Sequence, residues 1–334
     1  MIRFAKTIVA GVMLMGTALA AQAQETFELT FSTYLPPTYE YVWKPVEAFV
    51  KTVEDKSDGR VKIKVFHSAQ LFDGYDELQA LSRGDIDITN MTGTYPSGTI
   101  PALTLFTLPF VFDDVAHMER ALAAGLADQG MKQELNDKHD VVILGLAPWD
   151  PYEFYSRSTP ILSESDFVGK VWATSGSSDA KAIQLLGGSP TGMPSSELYL
   201  SFDRGVIDGT PRPLLTGIGR SLYEVAKHLT ISNFAIDTSI LAINRQRWES
   251  LPADVQQIML DAASERDRDQ IARVRSFVEE AIAKYEEAGV AVHRMDAEAV
   301  SKLRQATKAA VDEFASTVEN GEKYLEIIES TRNP

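Results

Sequence analysis

The sequence predicts an α/β protein with two lobes around a cleft. Three observations support this fold class. The first part of the chain alternates strand patterns with helix patterns, and parallel strands need such helical crossovers. A second series of the same kind begins after residue 150. No flexible linker separates the two series, so we expect the chain to cross between the lobes several times and form a hinged cleft.

The first series contains three strands with two helices between them. Apolar and polar residues alternate strictly in Val61–Phe66, which is typical of a strand with one buried face. In the first helix, Val46, Phe49, Val50 and Val53 recur at helical spacing. The elements predicted in this half are strands at Phe27–Ser32, Val61–Phe66, Ile86–Met91 and Val141–Leu146, and helices at Val42–Asp55, Tyr75–Ser82 and Val115 to about Leu135.

The second series is predicted to lead into a largely helical end of the chain. Its elements are strands at Phe154–Ser156, Gly169–Thr174 and Gly205–Asp208, and helices at Ala180–Leu186 and Ser196–Asp203. We expect two further strands, Leu229–Ser232 and Ser239–Asn244, to return to the first lobe. Three helices follow: a long charged one from Ala253 to about Ala288, then Ala297–Val318 and Lys323–Ser330.

The first 23 residues are typical of a cleaved secretory signal peptide. Arg3 and Lys6 precede an apolar run, Ile8–Leu19, and Ala21-Gln22-Ala23 then supplies a cleavage pattern of small residues. The apolar run is shorter than the hydrocarbon core of a bilayer requires, although a retained membrane anchor is the alternative. We therefore predict export to the periplasm and a mature chain that starts near Gln24 and does not insert into the membrane.

Composition excludes several functions. The sequence has no cysteine, so disulfides and thiol chemistry are absent. The formal charge of −15 becomes −17 once Arg3 and Lys6 are removed with the signal segment. Such a charge repels nucleic acid and anionic lipid, so neither is an expected partner. It favours cationic ligands, but it can equally be a solubility charge.

Recognisable catalytic chemistry is missing from the sequence. The five histidines are widely spaced, and no Walker A loop, nucleophile elbow or dinucleotide-binding glycine pattern occurs. Carboxylate pairs such as Asp85/Asp87 stand beside strand ends, where solvation or capping explains them. We therefore expect no metal, no cofactor and no enzymatic activity. A periplasmic enzyme remains the alternative, with Glu153 and Asp150 as its acid–base candidates.

Several motifs in a fixed order resemble those of one transport family. They are Ser57–Val61, Ser68–Leu71, Leu81–Asp87 (a "GxiD" step), Leu108–Phe112 ("LPFlF"), Gly205–Gly209 ("GvvDG") and Leu222–Thr230 ("lyevxkyxt"). Together they make the chain similar to the solute-binding proteins of tripartite ATP-independent periplasmic (TRAP) transporters, over essentially the whole mature sequence.

This resemblance implies a type II periplasmic-binding-protein fold with a long helix that spans both lobes. Lobe I would comprise residues 24–148 and about 232–275, and lobe II residues 149–231 and about 276–334. The implied function is capture of a small solute by lobe closure and its delivery to a membrane permease made of a small and a large subunit. We expect the binding protein to be a monomer.

Two departures from the family pattern bear on the ligand. Where family members carry arginines that clamp a carboxylate, our alignment places Trp172 and Glu153. Aromatic rings and carboxylates suit an ammonium ion, so the first hypothesis is a small amine or quaternary ammonium such as ethanolamine or choline. Trp149, Asp150 and Tyr152 stand near the same strand ends. The alternative is that the rings pack in the core or hinge.

A third departure favours a different ligand. Arg212 replaces the asparagine of the family's "DGxxNP" pattern, and it can clamp an organic acid or a zwitterion if it faces the cleft. If Arg212 instead pairs with Glu153, the ligand can be neutral. Because ligands bind beyond the carboxyl ends of strands in open α/β sheets, Tyr34, Glu40, Asn90 and Tyr95 are further candidates, and Asp237 is a carboxylate after the strand between the lobes. The resemblance adds Phe234, which stands where the family often places an aromatic ring over the ligand. For Glu40, the alternative role is interaction with the helix dipole.

Overall fold

The computed structural model describes residues 25–332, so the predicted signal segment lies outside the described residues. Ten strands form in this part of the chain, and their order in sequence is not their order in space. They are β1 (Phe27–Ser32), β2 (Val61–Phe66), β3 (Ile88–Thr92), β4 (Val141–Ser156), β5 (Val171–Thr174), β6 (Ser189–Gly192), β7 (Gly209–Pro213), β8 (His228–Ile231), β9 (Ile236–Asn244) and β10 (Ala291–Arg294).

The helices lie between these strands and at the end of the chain, and short 3₁₀ turns connect several of them. The α-helices of residues 25–332 are α1 (Glu40–Lys56), α2 (Glu77–Arg83), α3 (Val115–Ala123), α4 (Met131–His139), α5 (Ser177–Leu185), α6 (Leu198–Asp203), α7 (Leu214–Gly219), α8 (Arg245–Ser250), α9 (Ala253–Glu287), α10 (Ala297–Thr317) and α11 (Gly321–Ser330). None of them is both long and apolar enough to cross a membrane.

Strand pairing divides the molecule into two lobes. In the first lobe the order is β2-β1-β3-β9-β4, with β1 parallel to β2 and β3, and β9 antiparallel to both its neighbours. In the second lobe β4, β7, β5 and β6 follow one another, and β8 pairs with β4 and β10. Parallel pairs predominate away from β4 and β9, as the alternation of strands and helices predicts.

The two lobes are joined by continuous secondary structure. The first part of β4 pairs with β9, and its last residues pair with β7 and β8. Its register shifts at Ile143/Gly145 and again at Pro148/Pro151, irregularities of the kind that bend a strand, and the same strand pairs in both lobes. Helix α9 also spans the molecule, because Met259 packs in the core of the first lobe and Tyr285 in that of the second.

The C-terminal helices cross back over both lobes. Leu303 of α10 packs with the aromatic residues of the second lobe, whereas Phe314, near the end of the same helix, packs in the first. Tyr324 and Ile328 of α11 also lie in the core of the first lobe. The residue boundaries of lobes I and II given above stay a prediction. They assign α11 to lobe II, whereas its side chains pack on the first lobe.

Two strand predictions were wrong. The predicted strand Gly205–Asp208 is a turn, because Gly205 has a φ of 68°, and β7 begins only at Gly209. The predicted strand Leu229–Ser232 exists as β8 but belongs to the second lobe, where it lies between β4 and β10. Only β9 returns to the first lobe. Periodicity identifies a strand but carries no information about its neighbour.

Candidate ligand-binding site

The candidate site lies where the strands of the two lobes end against each other. Loops after β2 and β3 of the first lobe meet loops after β5 and β6 of the second lobe. Across this junction, the hydroxyl of Tyr75 donates to the carbonyl of Ser175 at 3.1 Å, and the N–H of Ser195 donates to the hydroxyl of Tyr95 at 2.9 Å. These contacts join the lobes, so the structure shows the closed arrangement of the cleft.

Arg212 is the buried cation of this junction. It is the penultimate residue of β7, and its side chain is 2% exposed. Its guanidinium donates to two backbone carbonyls, those of Met193 at 2.8 Å and Pro211 at 3.2 Å. The nearest carboxylate oxygen belongs to Asp179 and lies 3.8 Å away, and the Nε–H of Arg212 has no partner. The guanidinium of Arg212 stays protonated in proteins, so a permanent positive charge is buried here with incomplete hydrogen bonding.

Asp179 does not depend on Arg212 for its own stabilisation. Its carboxylate accepts hydrogen bonds from the N–H and hydroxyl of Ser175 at 2.7 and 3.0 Å, and from the N–H of Gly176 at 2.8 Å. These donors lie at the N-terminus of α5, where the helix dipole also favours an anion. Asp179 therefore offsets part of the charge of Arg212 from a distance, without occupying its donors.

Asp237 is a second carboxylate whose acceptors are filled. The hydroxyls of Thr92, Thr94 and Tyr152 converge on one of its oxygens, Tyr152 at 3.1 Å, and the N–H of Thr238 donates to the other at 2.7 Å. Burial raises the pKa of Asp237, although these hydrogen bonds favour its ionised form. Three hydroxyl donors on one oxygen are an arrangement that suits a carboxylate.

The hydrogen-bond inventory of the junction leaves donors without acceptors. In the described part of the chain, buried donors without a partner include Nε of Arg212, Nε1 of Trp149, Nε of Arg220 and the hydroxyl of Ser97. Behind Tyr34, one oxygen of Glu77 is also unpartnered, and burial raises the pKa of Glu77 well above its usual value, which favours a protonated carboxyl. This junction is therefore suited to a ligand that supplies acceptors.

Six of the residues proposed from the sequence come together here. Arg212 and Asp237 both lie beside Tyr152, whose hydroxyl also approaches Ser175 and Thr94. Tyr34 and Tyr95 are in edge-to-face contact with ring centroids 5.1 Å apart, and Trp149 belongs to the same packed group. We call this set the cleft cluster: Arg212, Tyr152, Asp237, Tyr34, Tyr95 and Trp149.

Two proposed aromatic residues lie outside the cleft cluster. Trp172 stacks on Phe167 with ring centroids 4.8 Å apart and contacts Phe154 edge-on. Phe234 packs between Phe154 and Phe110. Both side chains are fully buried in the apolar core of the second lobe. Their positions match the packing alternative for these rings.

The remaining candidates have protein partners elsewhere. Glu40 is exposed on α1 and pairs with Lys44, four residues further along the same helix. Asn90 accepts hydrogen bonds from Ser239 and from Arg266 of α9, on the side of the sheet that α9 covers. The first pair lies within α1, whereas the second set of contacts joins α9 to the sheet.

The pairing of Arg212 with Glu153 does not form. The two residues face each other across β7 and β4, but their side chains take different partners. Glu153 accepts hydrogen bonds from the N–H groups of Ser232 and Asn233, in the turn between β8 and β9. That hypothesis is corrected, because backbone donors already satisfy the carboxylate.

Asp150 connects the two lobes. Its carboxylate accepts a hydrogen bond from the hydroxyl of Tyr41 in α1 and one from the N–H of Leu215 in α7, at 3.3 Å. Burial raises the pKa of Asp150 to about 7, although these donors favour the ionised form. Burial likewise raises the pKa of Glu153 to about 8. Both carboxyls therefore titrate near neutral pH.

The unfolding free energy should fall as the pH rises from about 4 to about 8. A carboxyl whose pKa is raised by folding binds its proton more tightly in the native state, so its stabilising effect is lost as the pH passes from its unfolded pKa to its folded pKa. Denaturant titrations at several pH values should show that Asp150→Asn reduces this loss by on the order of 2 to 4 kcal/mol. The exposed control Asp137→Asn should retain the wild-type slope, and an identical slope in Asp150→Asn would contradict the assignment.

Several residues of the junction were not predicted from the sequence. Asp179, Ser175 and Thr94 surround the cleft cluster, and Arg220 reaches it from the end of α7. One signal was available, since Asp179 follows Gly176 at the spacing of a residue that caps the start of a helix. No comparable signal marks Arg220, because only the fold brings the end of α7 next to α1.

Two lobes that meet at a polar junction are the architecture of ligand-binding proteins of the periplasmic type. The model of the bacterial extracellular solute-binding proteins, family 7 (DctP) matches residues 31–317. The chain belongs to this family. It is the TRAP solute-binding family that the sequence motifs indicate.

Individual relatives agree with this assignment. The C4-dicarboxylate-binding periplasmic protein DctP of Rhodobacter capsulatus is 28% identical over 280 residues, which cover 82% of this chain and 83% of the relative. Among solved structures, DctP7 of Bordetella pertussis, a receptor that binds pyroglutamic acid, has a TM-score of 0.86 at 20% identity and covers 91% of this chain and 100% of its own. A TRAP solute-binding protein of Chromohalobacter salexigens with bound D-glucuronate has a TM-score of 0.85 at 24% identity, with coverages of 91% and 99%.

Proposed function

We propose that this TRAP solute-binding protein captures a small organic acid, or a zwitterion with a carboxylate, and that Arg212 clamps the carboxylate. The observation that carries the proposal is the incomplete pairing of Arg212. A guanidinium buried to this extent, with a free Nε–H and a carboxylate only at 3.8 Å, is completed by an anionic ligand. Its planar donors suit a carboxylate in two-point contact.

The hydrogen-bond inventory favours an acid over an amine. An ammonium ligand needs acceptors, but Asp179 and Asp237 already receive hydrogen bonds from protein donors. Trp172 and Glu153, on which the amine hypothesis rested, lie outside the cleft cluster. The relatives named above bind a C4-dicarboxylate, pyroglutamic acid and D-glucuronate, all of them acids. The amine hypothesis is therefore the weaker one.

A zwitterion is the second candidate, on account of Asp237. This carboxylate is buried beside Tyr152 and forms no ion pair in residues 25–332. A ligand with a cationic group near Asp237 would offset this buried charge, and the rings of Tyr34 and Tyr95 could contact that cation. Such a ligand would still present its carboxylate to Arg212.

The proposed role in transport follows the family. The chain would be exported to the periplasm, close its lobes around the solute and deliver it, as a monomer, to a permease with a small and a large membrane subunit. Closure requires contacts that form only with both lobes in place, and the hydrogen bonds of Tyr75 and Tyr95 across the junction are of this kind.

A thermal-shift screen tests the ligand class. The panel contains succinate, pyroglutamate, D-glucuronate and D-galactonate as acids, glycine betaine as a zwitterion, and ethanolamine and choline as amines. We expect at least one acid or the zwitterion to raise the melting temperature, because a ligand at 100 times its Kd adds about 2.7 kcal/mol to the unfolding free energy. Stabilisation by an amine and by none of the others would overturn the proposal.

A further inference from the structure

A second set of unpartnered donors surrounds Tyr39, the residue that precedes α1. The indole of Trp149 meets the ring of Tyr39 edge-on, with centroids 6.1 Å apart. The guanidinium carbon of Arg220 lies 5.5 Å from the centre of the same ring. In residues 25–332, neither Nε1 of Trp149 nor Nε of Arg220 has a hydrogen-bond partner. An indole N–H and a guanidinium N–H thus lie near the ring of Tyr39, and neither of these donors has an acceptor within this part of the chain.

The N–H of Trp149 is notable because it is buried and has no hydrogen-bond partner among the described residues. Trp149 is 2% exposed, and a buried tryptophan usually finds a partner for its N–H. Nε1 of Trp172 is also unpartnered, but Trp172 lies among the apolar side chains of Phe154, Phe167 and Ile183. Trp149 instead belongs to the packed group that contains Tyr34 and Tyr95 of the cleft cluster. The two indoles differ in their surroundings, not in their burial.

Arg220 adds a positive charge over the ring of Tyr39. It takes part in no ion pair within the described residues, and its half-buried side chain rests on Tyr39. The neighbouring Gly219 carbonyl accepts a hydrogen bond from Thr38 at 3.1 Å, so the end of α7 is fixed against the start of α1. The guanidinium is therefore held at the junction by contacts that do not use its Nε–H.

A short segment of the second lobe connects these donors to Arg212. The carbonyl of Met193 accepts a hydrogen bond from Arg212, and Ser195, two residues later, contacts the hydroxyl of Tyr39 at 3.4 Å. The two sets of donors therefore lie at the same junction, and Tyr95 of the cleft cluster lies close enough to Arg212 and to Arg220 to act on both charges.

We propose that Trp149 and Arg220 form a second acceptor-binding subsite, so that the protein selects small acids with a second carboxylate, hydroxyl or carbonyl group over simple monocarboxylates. This inference rests on the proposed function, in which Arg212 holds the first carboxylate. The second group accepts hydrogen bonds from the indole and the guanidinium. Arg220 favours an anionic group there, whereas Trp149 accepts any oxygen acceptor of suitable position.

Matched pairs of acids test the subsite by calorimetry. In each pair the second acid keeps the first carboxylate but lacks the further polar groups of the first: succinate and butyrate, pyroglutamate and cyclopentanecarboxylate, or D-glucuronate and tetrahydropyran-2-carboxylate. The pair whose first member binds most tightly is used. We expect that member to bind the wild-type protein about 100-fold more tightly than its partner, as two lost hydrogen bonds, one of them charge-assisted, would require.

The variants Trp149→Phe and Arg220→Gln should each reduce this affinity ratio by about tenfold. The matched control Trp172→Phe removes an equally buried indole N–H that does not contact the ligand. The affinity ratio of this variant should therefore stay within about twofold of the wild-type ratio. A purely structural effect of either substitution lowers both affinities by the same factor and leaves the ratio unchanged. An unchanged ratio in both Trp149→Phe and Arg220→Gln, or equal wild-type affinities for the two acids, would overturn the inference.

Failure of this inference is distinguishable from failure of the proposed function. One outcome is that acids bind, Arg212→Ala abolishes their binding, and Trp149→Phe and Arg220→Gln leave the affinity ratio unchanged. In that case the carboxylate clamp is supported and only the second subsite is wrong. If neither an acid of any pair nor glycine betaine binds, both the clamp and the second subsite are wrong.

Discussion

Arg212→Ala should lower the affinity for the best-binding acid by about 100- to 1,000-fold, because two charge-assisted hydrogen bonds are lost in a buried site. Arg212→Lys keeps the charge but loses the planar pair of donors, so it should recover only part of the affinity. Titration calorimetry measures both variants against the acid with the largest thermal shift. The difference between alanine and lysine separates the contribution of charge from that of geometry.

The folded state should tolerate the loss of Arg212. Asp179, the nearest carboxylate, keeps its hydrogen bonds from Ser175 and Gly176 at the start of α5. The melting temperature of the unliganded variant should therefore change little compared with its loss of ligand stabilisation. Arg204→Ala, at an exposed position of the same lobe, is the matched control. Wild-type affinity in Arg212→Ala would remove Arg212 from the site and the proposed function with it.

Gly176→Ala should hold the lobes apart. Gly176 lies in the second lobe, and a Cβ at this position would stand 2.8 Å from the hydroxyl oxygen of Ser97 and 2.9 Å from the carbonyl oxygen of Thr94, both in the first lobe. The backbone at Gly176, with φ of −145°, accepts alanine without strain, so the clash arises only on closure. Since ligand binding needs the closed state, the apparent affinity should fall by about 10- to 100-fold.

Scattering can separate this effect from unfolding. Small-angle X-ray scattering of Gly176→Ala with saturating acid should give a larger radius of gyration than the liganded wild-type protein. Unliganded melting temperatures should agree between the two. Gly192→Ala is the control, because a Cβ there has no atom within 4 Å. A compact liganded Gly176→Ala protein of normal affinity would show that the loop of Ser97 yields at little cost.

Local sequence patterns were sufficient for most of the fold. Val61–Phe66 alternates strictly and forms β2 with the predicted bounds, and the charged periodic segment from Ala253 forms α9. The patterns failed where a residue's role depends on distant contacts. Gly205 reads as the start of a strand, but its positive φ ends α6. The short strands β6 and β10 carry no clear alternation, and only their partners β5 and β8 define them.

The site was predicted less completely than the fold. Tyr34 and Tyr95 could be nominated because they follow strand ends, which meet at the cleft, and Arg212 because it departs from the family pattern. Trp172 stands near a strand end as well, yet the alternation of β5 turns it into the core with Phe167. A shift of one position along a strand moves a side chain from the cleft to the opposite face. Arg220 could not be predicted as a site residue, because its neighbour Tyr39 is distant in sequence.

The position of β9 in the first lobe has a consequence for the order in which the protein can fold during synthesis. This strand separates β3 from β4 in the sheet, yet it is completed only at Asn244, after the β5, β6, β7 and β8 strands of the other lobe have been made. A ribosome-bound chain of shorter length cannot close the first sheet, so its earliest strands lack their central partner. The N-terminal lobe is therefore not a vectorial folding unit, and its native contacts form late and over long sequence separations.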